Sequence, residues 1–279
     1  MLNVLMFYIF LLGAIVGSFL NVVALRWGTK MSSVSGRSVC FHCNKTLKWF
    51  EVVPIMSFIF LRGKCRSCKT RLSARYLVVE ILTGLVFVGA FIRQYDLWPI
   101  YGVMTNGLTY SILFFFYYVV IFSILIIIVL YDIRHKIIPD ELVYTFISLS
   151  VAKLFLFIYL TGFPISISNI FNLISPLALS LPFAALWYFS NGRWIGFGDV
   201  KLLFGIGALL GFVCGLSAVV LAFWLGTLWV FINWFYGVFF KHNNLGWHSE
   251  LPMAPFLVLA VFLVFIWHFD FFSLNLLLQ

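Results

Sequence analysis

Residues 121–144, IFSILIIIVLYDIRHKIIPDELVY, run from an unbroken apolar stretch into a short charged turn and back into apolar sequence. An apolar run of this length suits the hydrocarbon of a bilayer, and a short basic turn between two such runs makes a pair of antiparallel membrane helices. The same alternation extends in both directions. Apolar spans fall at 3–25, 76–93, 110–131, 141–160, 169–190, 200–213, 216–238 and 252–272, the division of 200–238 resting on its length alone. The 279 residues are 63% hydrophobic and 10% charged, with a mean hydropathy of +1.09. A soluble domain carries about a quarter charged residues. The expected fold class is therefore an all-α polytopic membrane protein of about eight transmembrane helices, whose main solvent is lipid.

The net charge of +9 would suggest a nucleic-acid partner in a soluble protein. Its placement points to the membrane instead, and no nucleic acid is expected. Eleven of the 18 Lys and Arg residues lie between Arg26 and Arg75. With eight spans, the loops at 26–75, 132–140, 191–199 and 239–251 share one side and collect nearly all the positive charge; Arg93 and Lys153, which could snorkel, are the exceptions. The positive-inside rule makes that side cytoplasmic. The first span has no Lys or Arg before it and no small-residue cleavage site, so it reads as a retained helix. Its Gly13-x-x-x-Gly17 pair favours close helix packing, and Ser18 and Asn21 are expected to hydrogen-bond neighbouring helices.

The long basic loop contains Cys40-x-x-Cys43, then a spacer of 21 residues, then Cys65-x-x-Cys68. A two-residue gap lets both thiolates of a pair face one metal, and two pairs complete a tetrahedral zinc site. Two disulfides are the alternative, which a reducing cytosol disfavours. Four thiolates close the coordination sphere, so such a metal holds the loop's shape rather than catalysing. The apolar VVPIMSFIFL between the pairs either lies on the membrane surface or packs under the zinc fold.

With nine carboxylates in the chain, each can be weighed. Glu51, Asp96, Glu250 and Asp270 suit solvated surface roles. Glu80 lies one turn from Arg75, and a loop arginine is its expected partner. Asp140 follows Pro139 and opens an apolar run, the position of an N-cap. Asp132 ends an apolar helix, where the dipole disfavours an anion, and no local duty is visible for it. Asp199 lies in GFGD, directly before VKLLFGIGALLG, where a helix N-terminus favours an anion. Gly196 and Gly198 would form the turn that presents it. Two carboxylates in opposed settings at helix ends on one face suit aspartic proteolysis, one acid polarising a carbonyl while the other activates water. Alone, G-x-G-D reads equally well as a capping aspartate.

In order, GSFLNVVALR, the double Cys-x-x-Cys loop, RYLVVEILTGLVF, YDIRHKIIPDEL, GFGDVKLLFGIGALLG and MAPFLVLAVF resemble the bacterial type IV prepilin peptidases, the prepilin leader peptidase/N-methyltransferase family. The resemblance runs nearly end to end. It implies an aspartic endopeptidase of the bacterial inner membrane that removes the leader of prepilins or pseudopilins at the cytoplasmic face. It implies Asp132 and Asp199 as the catalytic pair and Cys40, Cys43, Cys65 and Cys68 as structural zinc ligands. It also implies N-methylation of the new N-terminus with S-adenosylmethionine, at a site the sequence does not reveal. The division expected is a first helix at 1–25, a zinc-binding, methylation-associated loop at 26–75, and a membrane peptidase core at 76–279. Two departures are visible: Ala254-Pro255 where the family often has Gly-Pro, and ALRWG where arginine-leucine-proline is commoner. Three other readings stay open. They are a presenilin-like intramembrane protease, a proton-coupled transporter with both acids at mid-membrane, and a membrane zinc adaptor without activity.

Overall fold

The computed structural model describes residues 2–29, 39–40, 42–101, 107–160, 167–240, 252–268 and 271. Glu250 and Asp270 lie outside them, as does the end of the last expected span. Among the described residues the chain is helical and has no sheet. Eight long helices follow the expected order: α1 (Leu2–Arg26), α3 (Arg75–Tyr101), α4 (Gly107–His135), α5 (Asp140–Leu160), α6 (Ile167–Ser190), α7 (Phe197–Leu210), α8 (Phe212–Phe240) and α9 (Ala254–Trp267). A short helix, α2 (Met56–Phe60), forms within the apolar stretch between the cysteine pairs. Among the described residues, five segments are long and apolar enough to cross a membrane: Leu2–Arg26, Arg75–Leu97, Gly107–His135, Asn169–Ser190 and Phe212–Phe235. The chain divides into two compact units, Met1–Leu130 and Tyr131–Gln279. Thus α3, which the sequence groups with the peptidase core, packs with α1 and the cysteine loop.

In the first unit, α1 and α3 lie in close contact because glycines remove the side chains between them. A Cβ on Gly13 would stand 2.8 Å from Gly84 Cα, and one on Gly17 would stand 2.8 Å from Thr83 Oγ1. Asn21 Nδ2 donates to Gly17 O on its own helix and to Tyr76 O on α3, as its place in the sequence leads one to expect. Where the hydrophobic effect cannot drive helices together, small residues and such bonds do so. Asp96 falls inside α3, which runs eight residues past the expected boundary at 93.

In the second unit α7 is central. Val200, Leu202, Leu203, Gly205, Ile206, Gly207, Ala208 and Leu209 are all buried, so more than one face of the helix is covered. The expected break in 200–238 occurs at Gly211, whose φ of +79° suits glycine. Gly207 O still accepts the Gly211 N–H and takes a second donor, Ser175 Oγ, while the freed Phe212 N–H donates to Asn172 Oδ1. Lys153 Nζ donates to Leu209 O at 2.7 Å, so this lysine meets the negative end of α7 rather than reaching for the membrane surface.

Candidate active site and metal centre

The cysteine loop is built from one turn used twice. Cys40 N–H donates to Lys45 O and Asn44 N–H to Cys40 O; twenty-five residues on, Cys65 N–H donates to Thr70 O and Lys69 N–H to Cys65 O. Each turn is closed by an isolated bridge, Val39 with Thr46 and Lys64 with Arg71. Each also passes through a left-handed residue, Asn44 at φ +52° and Lys69 at φ +59°. Those bonds aim successive thiols at one point. All four sulfurs, of Cys40, Cys43, Cys65 and Cys68, lie within 4.8 Å of one another.

With zinc–sulfur bonds of about 2.3 Å, tetrahedral geometry places sulfurs about 3.8 Å apart. Cys40 Sγ and Cys68 Sγ are 3.8 Å apart, and none of these cysteines forms a disulfide. The donor set therefore fits a closed zinc centre, with Cys40 and Cys65 buried and Cys43 exposed. The Thr70 hydroxyl, 3.3 Å from Cys68 Sγ, and the Thr70 N–H stabilise the thiolate and bring that thiol down to about 6.

Glu80 is only 7% exposed. Its Oε2 accepts the Ile55 N–H at 2.7 Å and holds the backbone where Ile55 takes φ +63° to open α2. The sequence offered a loop arginine as its partner; the bond observed is to backbone. Ile55 is twenty-five residues away and carries no sequence signal of its strained geometry.

The aspartates belong to the second unit. Asp132 occupies the last turn of α4, which Lys136 terminates at φ +53° with its N–H on Asp132 O. Its side chain is buried, and Oδ2 accepts the N–H of Ala254 at 3.3 Å. Ala254 opens α9, with Pro255 just inside. The duty that no neighbouring residue explained is thus a long-range one: Asp132 takes up a free donor at the positive end of a helix 122 residues away.

Asp199 stands in the first turn of α7, whose N-cap is Gly196. Its N–H donates to Gly196 O, and its carboxylate lies beside the Gly196 N–H. Both acids belong to the second unit, near enough for the charge of Asp132 to act on Asp199. The glycines help for a reason other than the one expected. Gly196 is ordinarily extended, at φ −73° and ψ 144°, and Gly198 is helical. What Gly198 supplies is space, since a Cβ there would stand 2.9 Å from Ile138 Cβ.

Asp140, in the first turn of α5, is set apart from the pair. Its Oδ1 accepts Lys201 Nζ at 2.7 Å, and this ion pair takes the place of the expected N-cap bond. Lys201 also lies over the rings of Tyr144 and Phe197, 4.9 Å and 5.0 Å from their centroids.

Two family models match the chain: the bacterial peptidase A24 N-terminal domain over residues 11–94, and the type IV leader peptidase family over residues 119–231. A prepilin leader peptidase/N-methyltransferase of Bacillus subtilis is 30% identical over 261 residues, covering 93% of each chain. The chain belongs to this family. A protein of the same name from Vibrio cholerae is 27% identical, covering 90% of this chain and 92% of its own. One from Myxococcus xanthus reaches 44% identity over 95 residues, 33% of this chain and 28% of that protein. No solved structure matches. Family membership makes the chain an enzyme, a prepilin peptidase of the class that also carries N-methyltransferase activity, and its apolar helices make it a multi-pass membrane protein.

Proposed function

We propose that Asp132 and Asp199 are the catalytic dyad of an aspartic endopeptidase that cleaves the leader from type IV prepilins or pseudopilins at the cytoplasmic face of the inner membrane. The observation that supports this most directly is that these two carboxylates, from opposite kinds of helix end, lie in one compact unit within reach of each other's charge. In the reaction one carboxyl donates a hydrogen bond to the scissile carbonyl while the other, ionised, takes a proton from an attacking water. The tetrahedral intermediate then collapses, and the leaving nitrogen receives a proton from the dyad. The Ala254 N–H holds the Asp132 carboxylate for this work, and the Gly196 N–H lies beside that of Asp199. Asp140 stays out of it, neutralised by Lys201.

The position of the dyad also suits the substrate. A prepilin has a short basic leader followed by an apolar helix, so its scissile bond lies where membrane meets water. Acids at helix ends reach such a bond without extracting the helix, whereas a proton relay would want them at mid-membrane. The released N-terminus is then methylated with S-adenosylmethionine, and zinc on Cys40, Cys43, Cys65 and Cys68 holds the loop that serves this second step.

The test is to incubate purified protein with a prepilin and S-adenosylmethionine and to weigh the products. Loss of the leader and gain of one methyl group read out separately. Normal cleavage by either the Asp132→Asn or the Asp199→Asn protein would refute the dyad.

A further inference from the structure

The apolar stretch between the cysteine pairs has two places to go, the membrane surface or the underside of the cysteine fold, and α2 divides it between them. Ser57, Phe58 and Leu61 turn inward and line the space between α1, α3 and the cysteine turns. Met56, Ile59 and Phe60 share the other side of this short helix by their spacing and are exposed, Phe60 to 77%. Just before them Trp49, which opens a 3₁₀ turn (Trp49–Glu51), is 82% exposed. Large apolar side chains left together at a surface mark a contact with something else.

Two observations say what covers this patch. The first is charge. Lys48, Arg62, Lys64 and Arg66 flank it in sequence and are all exposed, and Arg66 lies 5.3 Å over the Phe50 ring. Between residues 39 and 75 the chain has eight Lys and Arg and one acid, Glu51, which accepts the Lys48 N–H. A second copy of this chain, or a basic peptide, would bring like charge to that ring, whereas an anionic leaflet brings the opposite sign. The second is depth. Glu80, which accepts the Ile55 N–H, lies five residues into α3, about 7.5 Å along the axis from Arg75. That bond draws the start of α2 down beside the apolar span of α3. Ile55 at φ +63° and Arg62 at φ +50° turn the chain at either end, so α2 projects as a short finger at that level. Exposed aromatic side chains with basic neighbours, at the end of a membrane span, have the chemistry of an interfacial anchor.

We infer that residues 49–62 dock on an anionic lipid leaflet, with Trp49, Met56, Ile59 and Phe60 at the acyl boundary and Lys48, Arg62, Lys64 and Arg66 on the headgroups. Docking gives the cysteine fold a third support beside α1 and α3, at the height where those helices leave the bilayer. It needs only that α1 and α3 cross a membrane, and it is independent of the dyad.

The test uses the full-length, zinc-loaded protein in nanodiscs that hold one copy each, made from phosphatidylcholine alone or with phosphatidylglycerol added. Amide hydrogen exchange is followed in the peptide covering residues 48–62. A helix as short as α2 opens readily in water, so its amides report whether anything covers it. Exchange should be about tenfold slower in the anionic discs. Arg62→Gln combined with Lys64→Gln should remove most of that difference, since each basic residue near an anionic surface is worth about fivefold in binding. Ile59→Ser combined with Phe60→Ser should return exchange to the faster rate. Zinc content reports whether the cysteine turns stay folded; if the serine variant loses zinc, the two lipids and the glutamine variant decide. Equal exchange in both lipids, or slow exchange that survives both double variants with zinc retained, would overturn the inference. Slow exchange found only in discs holding two copies would assign the patch to a second chain and overturn it as well.

Discussion

On the proposed reading the two units solve the same problem, bringing reactive side chains near one another, by opposite means. In the first, four thiols converge because a single hydrogen-bonded turn occurs twice, each copy complete within about eight residues of sequence. In the second, two carboxylates 67 residues apart converge because three helix ends meet: the close of α4 and the starts of α7 and α9. A site of the first kind, whose four thiols could hold one metal ion, depends little on the rest of the fold. Convergence of the second kind depends on packing throughout the unit. The difference predicts which perturbations should stay confined to one activity.

The largest expected effect is at the dyad. Asp132→Asn and Asp199→Asn should each lower cleavage by roughly 10³-fold or more. The side-chain amide introduced by Asp132→Asn retains an oxygen for the Ala254 N–H, so the unit should stay folded, and zinc content should be unchanged because the cysteines are elsewhere. Peptide mass after incubation with prepilin measures the first expectation, and elemental analysis the second. Next comes the metal. Cys65→Ala removes a buried ligand, and a structural zinc site contributes about 10 kcal/mol or more to the element it organises. Zinc should be lost, proteolysis of the loop should quicken, and the methylated product should fall much further than the cleaved one. Equal loss of both would break the comparison, since it would show that the peptidase unit leans on the metal.

What could be read from the sequence divides along the same line. The cysteine pairs declare a metal site because the information is local, in spacing that a turn converts directly into geometry. The helices were legible too, because apolar length alone specifies them, and even the break near Gly211 fell within a few residues of its expected place. Asp132 shows where such reading stops. It was singled out because no neighbour explained it, but its partner, the Ala254 N–H, is a backbone group that no motif marks. Glu80 and Ile55 repeat the lesson in the first unit. Gly196 and Gly198 show a subtler limit: sequence says that a glycine is there, and only packing says whether it serves conformation or space.

Gly198 gives a sharper test of that point at smaller magnitude. Gly198→Ala sets a methyl 2.9 Å from Ile138 Cβ, in the segment that follows Asp132. Overpacking of this kind costs about 1–3 kcal/mol, and the displaced segment should slow cleavage by about tenfold. Adding Ile138→Gly removes that Cβ and opens the space again. Recovery of the cleavage rate in the double variant, relative to Gly198→Ala alone, is expected if the requirement is steric. If the rate stays low, the backbone conformation at residue 198 matters after all.

The smallest effect should come from Lys201, despite its position two residues from Asp199. Its partner Asp140 is 66% exposed, and a pair open to water on one side contributes less than about 1 kcal/mol. Lys201→Met keeps an apolar stem against Tyr144 and Phe197, so thermal unfolding in detergent should shift only slightly. Asp140 would lose its counter-ion but can turn to solvent, which leaves the dyad's own contacts, the Ala254 and Gly196 N–H groups, in place. The rate of leader cleavage should therefore remain close to that of the unmodified protein. A large fall in rate at unchanged melting temperature would mean that the Lys201 charge acts on the dyad across the turn. The second unit would then hold its carboxylates by a charge network, and helix-end packing would be only part of what brings them together.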